Sequence, residues 1–127
     1  MKNKDISNWI KSKGGKVYMK KKSIKLIIIV VFLVIILPYL FVECNTILFG
    51  DEFKNEYKQT NMISDIKYYK VFYKTKNTAK VYYVDSNKET GNYIWFEKNK
   101  SNWVMTNWET VWSEYGSASG ITYPYYK

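Results

Sequence analysis

Four carboxylates in the C-terminal half of the chain could act as an acid and base pair, as in glycoside hydrolysis. These residues are Asp65, Asp85, Glu97 and Glu109. Their spacing does not single out any two of them, and a sheet this small offers little depth for a substrate cleft. We therefore expect no catalytic site.

Two further stretches resemble functional loops without meeting their requirements. Residues 85–91 (DSNKETG) alternate oxygen ligands as a calcium loop does, but an EF-hand needs glycine at its sixth position and glutamate at its twelfth. Those positions are Thr90 and Phe96, so a hairpin turn is favoured. Residues 116–120 (GSASG) carry Ala118 where a nucleophile elbow needs serine.

The absence of histidine excludes further chemistry. The chain has no histidine and one cysteine, Cys44, whereas a catalytic triad needs an imidazole and a structural zinc site needs several Cys or His ligands. An internal disulfide is excluded because the chain has only one cysteine. We expect no metal and no cofactor.

The positive charge is concentrated in the N-terminal tail. The 127 residues have a net charge of +9, which would suggest nucleic acid if it covered one folded surface. Residues 1–25, however, hold nine lysines and one aspartate, whereas the remaining chain is close to neutral. No nucleic-acid partner is expected.

Residues 26–42 (LIIIVVFLVIILPYLFV) contain no charge, and with their flanks they predict a transmembrane helix over residues 24–43. A cleaved signal has the same layout, but residues 42–46 (VECNT) offer no pair of small residues for cleavage. Lipoprotein processing at Cys44 is disfavoured because Phe41 and Glu43 precede it. The bilayer is therefore the first expected partner.

Lysines next to the span predict its orientation, since positive charge is retained on the cytoplasmic side. Lys20, Lys21, Lys22 and Lys25 precede the span, and the next lysine is Lys54. Residues 1–23 are thus predicted to be a basic cytoplasmic tail, unless translation begins at Met19. The C-terminal part is predicted to be extracytoplasmic.

An α+β domain is predicted over residues 51–127, after a juxtamembrane linker at residues 44–50. A short helix over residues 51–60 should pack on a four-stranded antiparallel meander. The predicted strands are residues 66–75, 79–85, 93–98 and 103–112. Gly50 is expected to separate the short helix from the preceding apolar run.

Large rings occupy both faces of this predicted sheet. They suggest a candidate interaction surface for a partner, consisting of Trp95, Trp103, Trp108, Trp112, Tyr123 and Tyr125. Strict alternation places Trp108 and Trp112 on one face, and the glycines after them permit a closing segment to fold back over the sheet. The alternative is a small domain that covers itself with amphipathic side chains.

The C-terminal pattern WETVWSxxGSAxG followed by YPYY resembles that of small membrane-anchored or exported proteins of unknown function from low-GC Gram-positive bacteria. This resemblance covers about the last third of the chain and implies no activity. The order of one helix and four strands is loosely similar to cystatin-like and nuclear-transport-factor-2-like folds.

The predicted function is a single-pass membrane protein that displays a small extracytoplasmic interaction domain. The partner would be another envelope or membrane protein. Two alternatives stay open: an immunity or envelope-stress accessory protein that acts on a membrane partner, and a small carboxylate-dependent hydrolase.

Overall fold

The computed structural model describes residues 20–116 and 118–127. It contains helix α1 (Lys21–Phe53), a 3-10 turn η1 (Glu56–Gln59) and four strands: β1 (Ile66–Lys74), β2 (Thr78–Asp85), β3 (Thr90–Asn99) and β4 (Asn102–Ser113). Most of the predicted cytoplasmic tail, and the alternative start at Met19, lie outside the described residues. The α+β class and the four strands are confirmed.

The chain divides into two compact units, residues 1–34 and residues 35–127. In the first, the described residues are helical from Lys21, and the apolar side chains of residues 26–34 are exposed. Helix α1 is long and apolar enough to cross a membrane. We call residues 35–127 the sheet unit.

Helix α1 extends further than the sequence predicted. The predicted linker at residues 44–50 is helical, and the predicted helix at residues 51–60 consists of the last turn of α1 followed by η1. Gly50 does not end the helix, which continues to Phe53. The glycine lets α1 pack closely against Tyr69 of β1, since a Cβ there would lie 3.1 Å from Tyr69 Oη. Tertiary packing thus offsets the low helix propensity of glycine.

The sheet is an antiparallel meander in the order β1-β2-β3-β4. Its helix face packs against the end of α1 and η1, and the buried cluster there consists of Phe53, Tyr57, Ile63, Val71, Ala79, Val81, Tyr83, Ile94, Phe96 and Trp103. Its opposite face, which we call the tail face, buries Val42, Phe72, Tyr82, Val84, Tyr93, Val111 and Trp112.

Bulges move several rings away from their predicted faces. On β4, Trp112 pairs with Gly91 and Thr110 with Asn92, so Val111 is an extra residue. Because each extra residue inverts the alternation, Trp108 packs on the helix face and Trp112 on the tail face. The prediction that they share a face is wrong.

Both edges of the sheet are covered. On the β1 edge, Val71 N donates to Thr46 Oγ1 of α1 at 2.9 Å, and Asn45 Nδ2 donates to Phe72 O at 3.4 Å. On the β4 edge, Gln59 Nε2 donates to Trp103 O, and Met105 N donates to Gln59 Oε1, both at 2.9 Å. These contacts satisfy groups that could otherwise pair with another strand.

Replacing Thr46 with valine should destabilise the sheet unit by about 1–3 kcal/mol, because the part-buried amide of Val71 loses its acceptor. Guanidinium unfolding of the full chain in detergent micelles measures this, and the Val71 amide should also exchange hydrogen faster. Thr106→Val is the control, since its exposed hydroxyl makes only a 3.3 Å bond to Trp95 O. Equal effects of the two changes would contradict this role of Thr46.

Candidate interaction surface

The six predicted surface aromatics do not form one surface. Trp103 and Trp112 are only 7% and 5% exposed, and they lie in the clusters of opposite faces. Trp108 and Trp95 are half-buried, again against opposite faces. Only Tyr123 and Tyr125 are largely exposed, at 69% and 51%. Most of these rings therefore stabilise the fold, as the alternative in the sequence had suggested.

The C-terminal segment, residues 118–127, folds back over the sheet in two steps. Its backbone first pairs with β4, where Ser113 N donates to Ala118 O at 2.9 Å and Gly120 N donates to Val111 O at 2.8 Å. The segment then crosses the tail face as far as α1. We call residues 121–127 the C-terminal strap.

A buried hydrogen-bond chain fixes the strap to the tail face. Trp112 Nε1 donates to Tyr82 Oη at 2.6 Å, and Tyr82 Oη donates to Tyr126 O at 2.9 Å. The hydroxyl of Thr122, which is 1% exposed, accepts from Tyr126 N and donates to Pro124 O, both at 2.8 Å. Each of the donors named in this hydrogen-bond network has an acceptor, so the strap has one defined path.

The strap also contacts α1. Tyr126 Oη donates to Glu43 Oε1 at 2.8 Å, and the same oxygen pairs with Lys70 Nζ at 2.7 Å. One helical turn earlier, Tyr39 Oη donates to Tyr125 O at 3.1 Å and accepts from Tyr125 N at 2.9 Å. The strap thus joins the outer strand β4 to α1.

A second exposed surface lies on α1 itself. The helix packs on the sheet through residues such as Asn45, Thr46 and Phe53. Ile47 and Leu48 point away from the sheet and are 80% and 71% exposed. Cys44, a free and exposed thiol, lies one turn earlier on this side. We call Cys44, Ile47 and Leu48 the helix stripe. Its signal in the sequence was the apolar run at residues 47–49 (ILF), shortly after the predicted span.

Two of the four candidate acids, Asp65 and Asp85, accept local hydrogen bonds. Asp85 Oδ1 accepts from Glu89 N at 2.7 Å within the β2–β3 turn, which confirms the predicted hairpin. Asp65 Oδ1 accepts from Ile66 N at 2.8 Å and from Tyr57 Oη at 3.4 Å. These bonds hold Asp85 at the β2–β3 turn and Asp65 at the start of β1, as local Asp hydrogen bonds commonly do.

A depression beside η1 and the start of β1 shows no convergent chemistry. It has a volume of about 450 Å³ and lies beside Tyr57, Asp65 and Tyr69, and Asp65 is the only acid in its lining. Among residues 20–116 and 118–127, no group of three or more His, Cys, Asp or Glu side chains could hold a metal ion. Comparison of the whole chain finds no matching protein-family model, curated protein or solved structure.

Buried tyrosines predict a loss of stability in alkali. Burial raises the pKa of Tyr83, with Glu56 nearby adding to the shift, and burial raises the pKa of Tyr82 despite the bond from Trp112. Their folded pKa values therefore exceed the unfolded value of about 10. Their contribution to the free energy of unfolding should be fully present below pH 10. It should fall above pH 10, by about 1.4 kcal/mol per tyrosine for each pH unit.

The opposite contribution comes from Lys80, whose pKa is lowered by burial and partly restored by Glu109. Its effect increases stability as the pH rises, but it is one group. Burial raises the pKa of seven tyrosines in the described residues, namely Tyr57, Tyr68, Tyr69, Tyr82, Tyr83, Tyr93 and Tyr126. Unfolding of the full chain in micelles between pH 8 and pH 11 tests the sign. A midpoint that stays constant to pH 11 would contradict burial of neutral Tyr82 and Tyr83.

Proposed function

We propose that the chain is a single-pass membrane protein whose sheet unit binds another membrane protein outside the cytoplasm. The observation that carries this proposal is the helix stripe. Its apolar side chains continue on α1 beyond the predicted span, where water would otherwise cover them. Exposed apolar patches of this kind mark contact surfaces.

The helix stripe suits a helical partner. Cys44, Ile47 and Leu48 are spaced at three and four residues, so they lie along one side of α1. A neighbouring helix that leaves the same bilayer could pack along this side and bury the side chains of Ile47 and Leu48. Because α1 contacts the sheet through its other side, such docking requires no rearrangement of the sheet unit.

The lysine distribution supports the proposed orientation. The described residues Lys20, Lys21, Lys22 and Lys25 precede the apolar stretch, and Lys54 follows it only after α1 has ended. This asymmetry favours a cytoplasmic N-terminus and an extracytoplasmic sheet unit.

The two alternatives differ from this proposal in the partner of the helix stripe or in the chemistry of the sheet unit. An immunity or envelope-stress accessory protein would use the same helix stripe, with a toxin or stress component of the membrane as its partner. The stripe offers no support for a carboxylate-dependent hydrolase, and the local bonds of Asp65 and Asp85 weaken that alternative. Hydrolysis abolished by substitution of Asp85 or Glu97 would support it.

Photo-crosslinking in native membranes tests the proposal. A benzoyl-phenylalanine at Ile47 or Leu48 should give one adduct of defined mass, whereas the same group at the exposed Lys88 of the β2–β3 turn should give none. A second copy as partner would double the mass and allow a Cys44–Cys44 disulfide on oxidation. Adducts with lipid alone at both stripe positions would contradict a protein-binding role.

A further inference from the structure

The C-terminal strap lies at the level of a residue predicted to be within the span. Tyr125 exchanges two backbone hydrogen bonds with the hydroxyl of Tyr39, and Tyr39 precedes Glu43 by four residues, or about 6 Å along the helix. The rings of Tyr39 and Tyr126 are also in edge contact, with centroids 5.5 Å apart. If Tyr39 lies in the membrane, the strap lies at its surface.

The exposed side chains of the strap suit this level. Ile121, Tyr123 and Tyr125 are 75%, 69% and 51% exposed. Tyrosine is enriched where bilayer and water meet, because its ring is apolar and its hydroxyl can remain hydrated. On α1, Leu40 and Phe41 are exposed at the same level, at 52% and 59%. Apolar surfaces from the strap and α1 thus adjoin.

A groove of about 320 Å³ is lined by residues of both surfaces. Its lining consists of Pro38, Phe41, Val42, Phe72, Tyr73, Lys80, Tyr123 and Pro124. Three of these residues belong to the predicted span, so the groove continues the apolar surface of α1. Lys80 is the only charged residue in the lining, and its Nζ lies 3.9 Å from the ring centroid of Tyr93.

The groove has the chemistry of a phospholipid near its glycerol. The apolar lining suits an acyl chain, and the ammonium of Lys80 is complementary to a phosphate. We propose that the C-terminal strap makes a second contact with the bilayer, in the leaflet through which α1 leaves it, and that a phospholipid of this leaflet occupies the groove. This inference rests on the proposed function, in which α1 spans that bilayer.

Nitroxide accessibility in the full chain tests the contact. In a Cys44→Ser background, single labels are placed at Tyr123→Cys, Tyr125→Cys and Ile121→Cys, all at exposed positions. The chain is reconstituted in phosphatidylcholine and phosphatidylglycerol vesicles without other protein. We expect these labels to be several-fold more accessible to oxygen, relative to a water-soluble nickel complex, than a control label at Met62→Cys, which is 69% exposed in the unmodified chain.

A label at Val31→Cys, within the predicted span, separates the two proposals. If Val31 is protected from nickel while all three strap labels match Met62, the lipid contact is overturned and the span is retained. If Val31 is itself accessible to nickel, the span and the proposed function fail. If the strap labels are in water in these vesicles, which contain no other protein, then no phospholipid of the bilayer occupies the groove. Unchanged far-ultraviolet circular dichroism of each labelled chain verifies its fold.

Discussion

Replacing Phe53 with alanine is expected to destabilise the sheet unit by about 3–5 kcal/mol, the usual cost of truncating a fully packed aromatic residue. Phe53 is 0% exposed, and its ring centroid lies 5.1 Å from that of Trp103 and 5.5 Å from that of Phe96. Its carbonyl also accepts from Tyr83 Oη at 2.6 Å. The change would therefore leave a cavity where the end of α1 packs on the sheet.

Ile47→Ala on the same helix is the matched control, because it removes an apolar side chain that is 80% exposed. It should change the free energy of unfolding by about 0.5 kcal/mol or less. Guanidinium unfolding in detergent micelles, followed by near-ultraviolet circular dichroism, measures both variants. Similar losses for Phe53→Ala and Ile47→Ala would contradict the packing of α1 on the helix face.

Replacing Gly91 with alanine should cost about 3 kcal/mol, at the upper end of the range for overpacking. A Cβ at Gly91 would lie 2.6 Å from Trp112 Cε2 and would also meet Trp112 Nε1 and Tyr82 Oη. Both groups belong to the chain of bonds that fixes the strap, so relief of the overlap would break the bond between Trp112 and Tyr82. We expect a lower unfolding midpoint and altered tryptophan circular dichroism.

Gly116→Ala is the control for Gly91→Ala. A Cβ at Gly116 would meet only the side chain of Ser113, whose Oγ lies 3.0 Å away and can rotate. The expected loss is no more than about 1 kcal/mol. If Gly91→Ala were as stable as Gly116→Ala, the close packing of Trp112 over Gly91 would be wrong.

The four strands were predictable from the sequence because each run is rich in β-branched and aromatic residues and ends at turn residues. The faces of individual rings were harder to predict. Val111 and Lys67 are extra residues in their strands, and a bulge reflects how two strands pair, which alternation within one strand does not reveal. This is why Ile66 packs with the helix face, whereas Tyr68 packs with the tail face.

The end of α1 was misjudged for a similar reason. Gly50 is a helix breaker by propensity, but its contact with Tyr69 comes from a strand about 20 residues later. The strap contacts are still more distant, since Tyr39 and Tyr125 are separated by 86 positions. Sequence composition indicated many amphipathic rings, but it could not tell which of them would be buried. The helix stripe was not predicted, because residues 44–50 were assigned to a linker rather than to a helix. The sequence showed only that Ile47 and Leu48 are apolar.

Two single thiols on opposite sides of the predicted span provide the most direct test of the central proposal, that α1 spans the membrane with the sheet unit outside the cytoplasm. Both are placed in a Cys44→Ser background, because Cys44 belongs to the helix stripe that the proposed partner would cover. Lys88→Cys lies in the exposed β2–β3 turn, and Lys21→Cys lies at the start of α1. Intact cells are treated with a membrane-impermeant maleimide. The account predicts labelling of the Lys88→Cys thiol in intact cells and of the Lys21→Cys thiol only after permeabilisation. The reverse pattern, or recovery of the unprocessed chain in the soluble fraction, would contradict it.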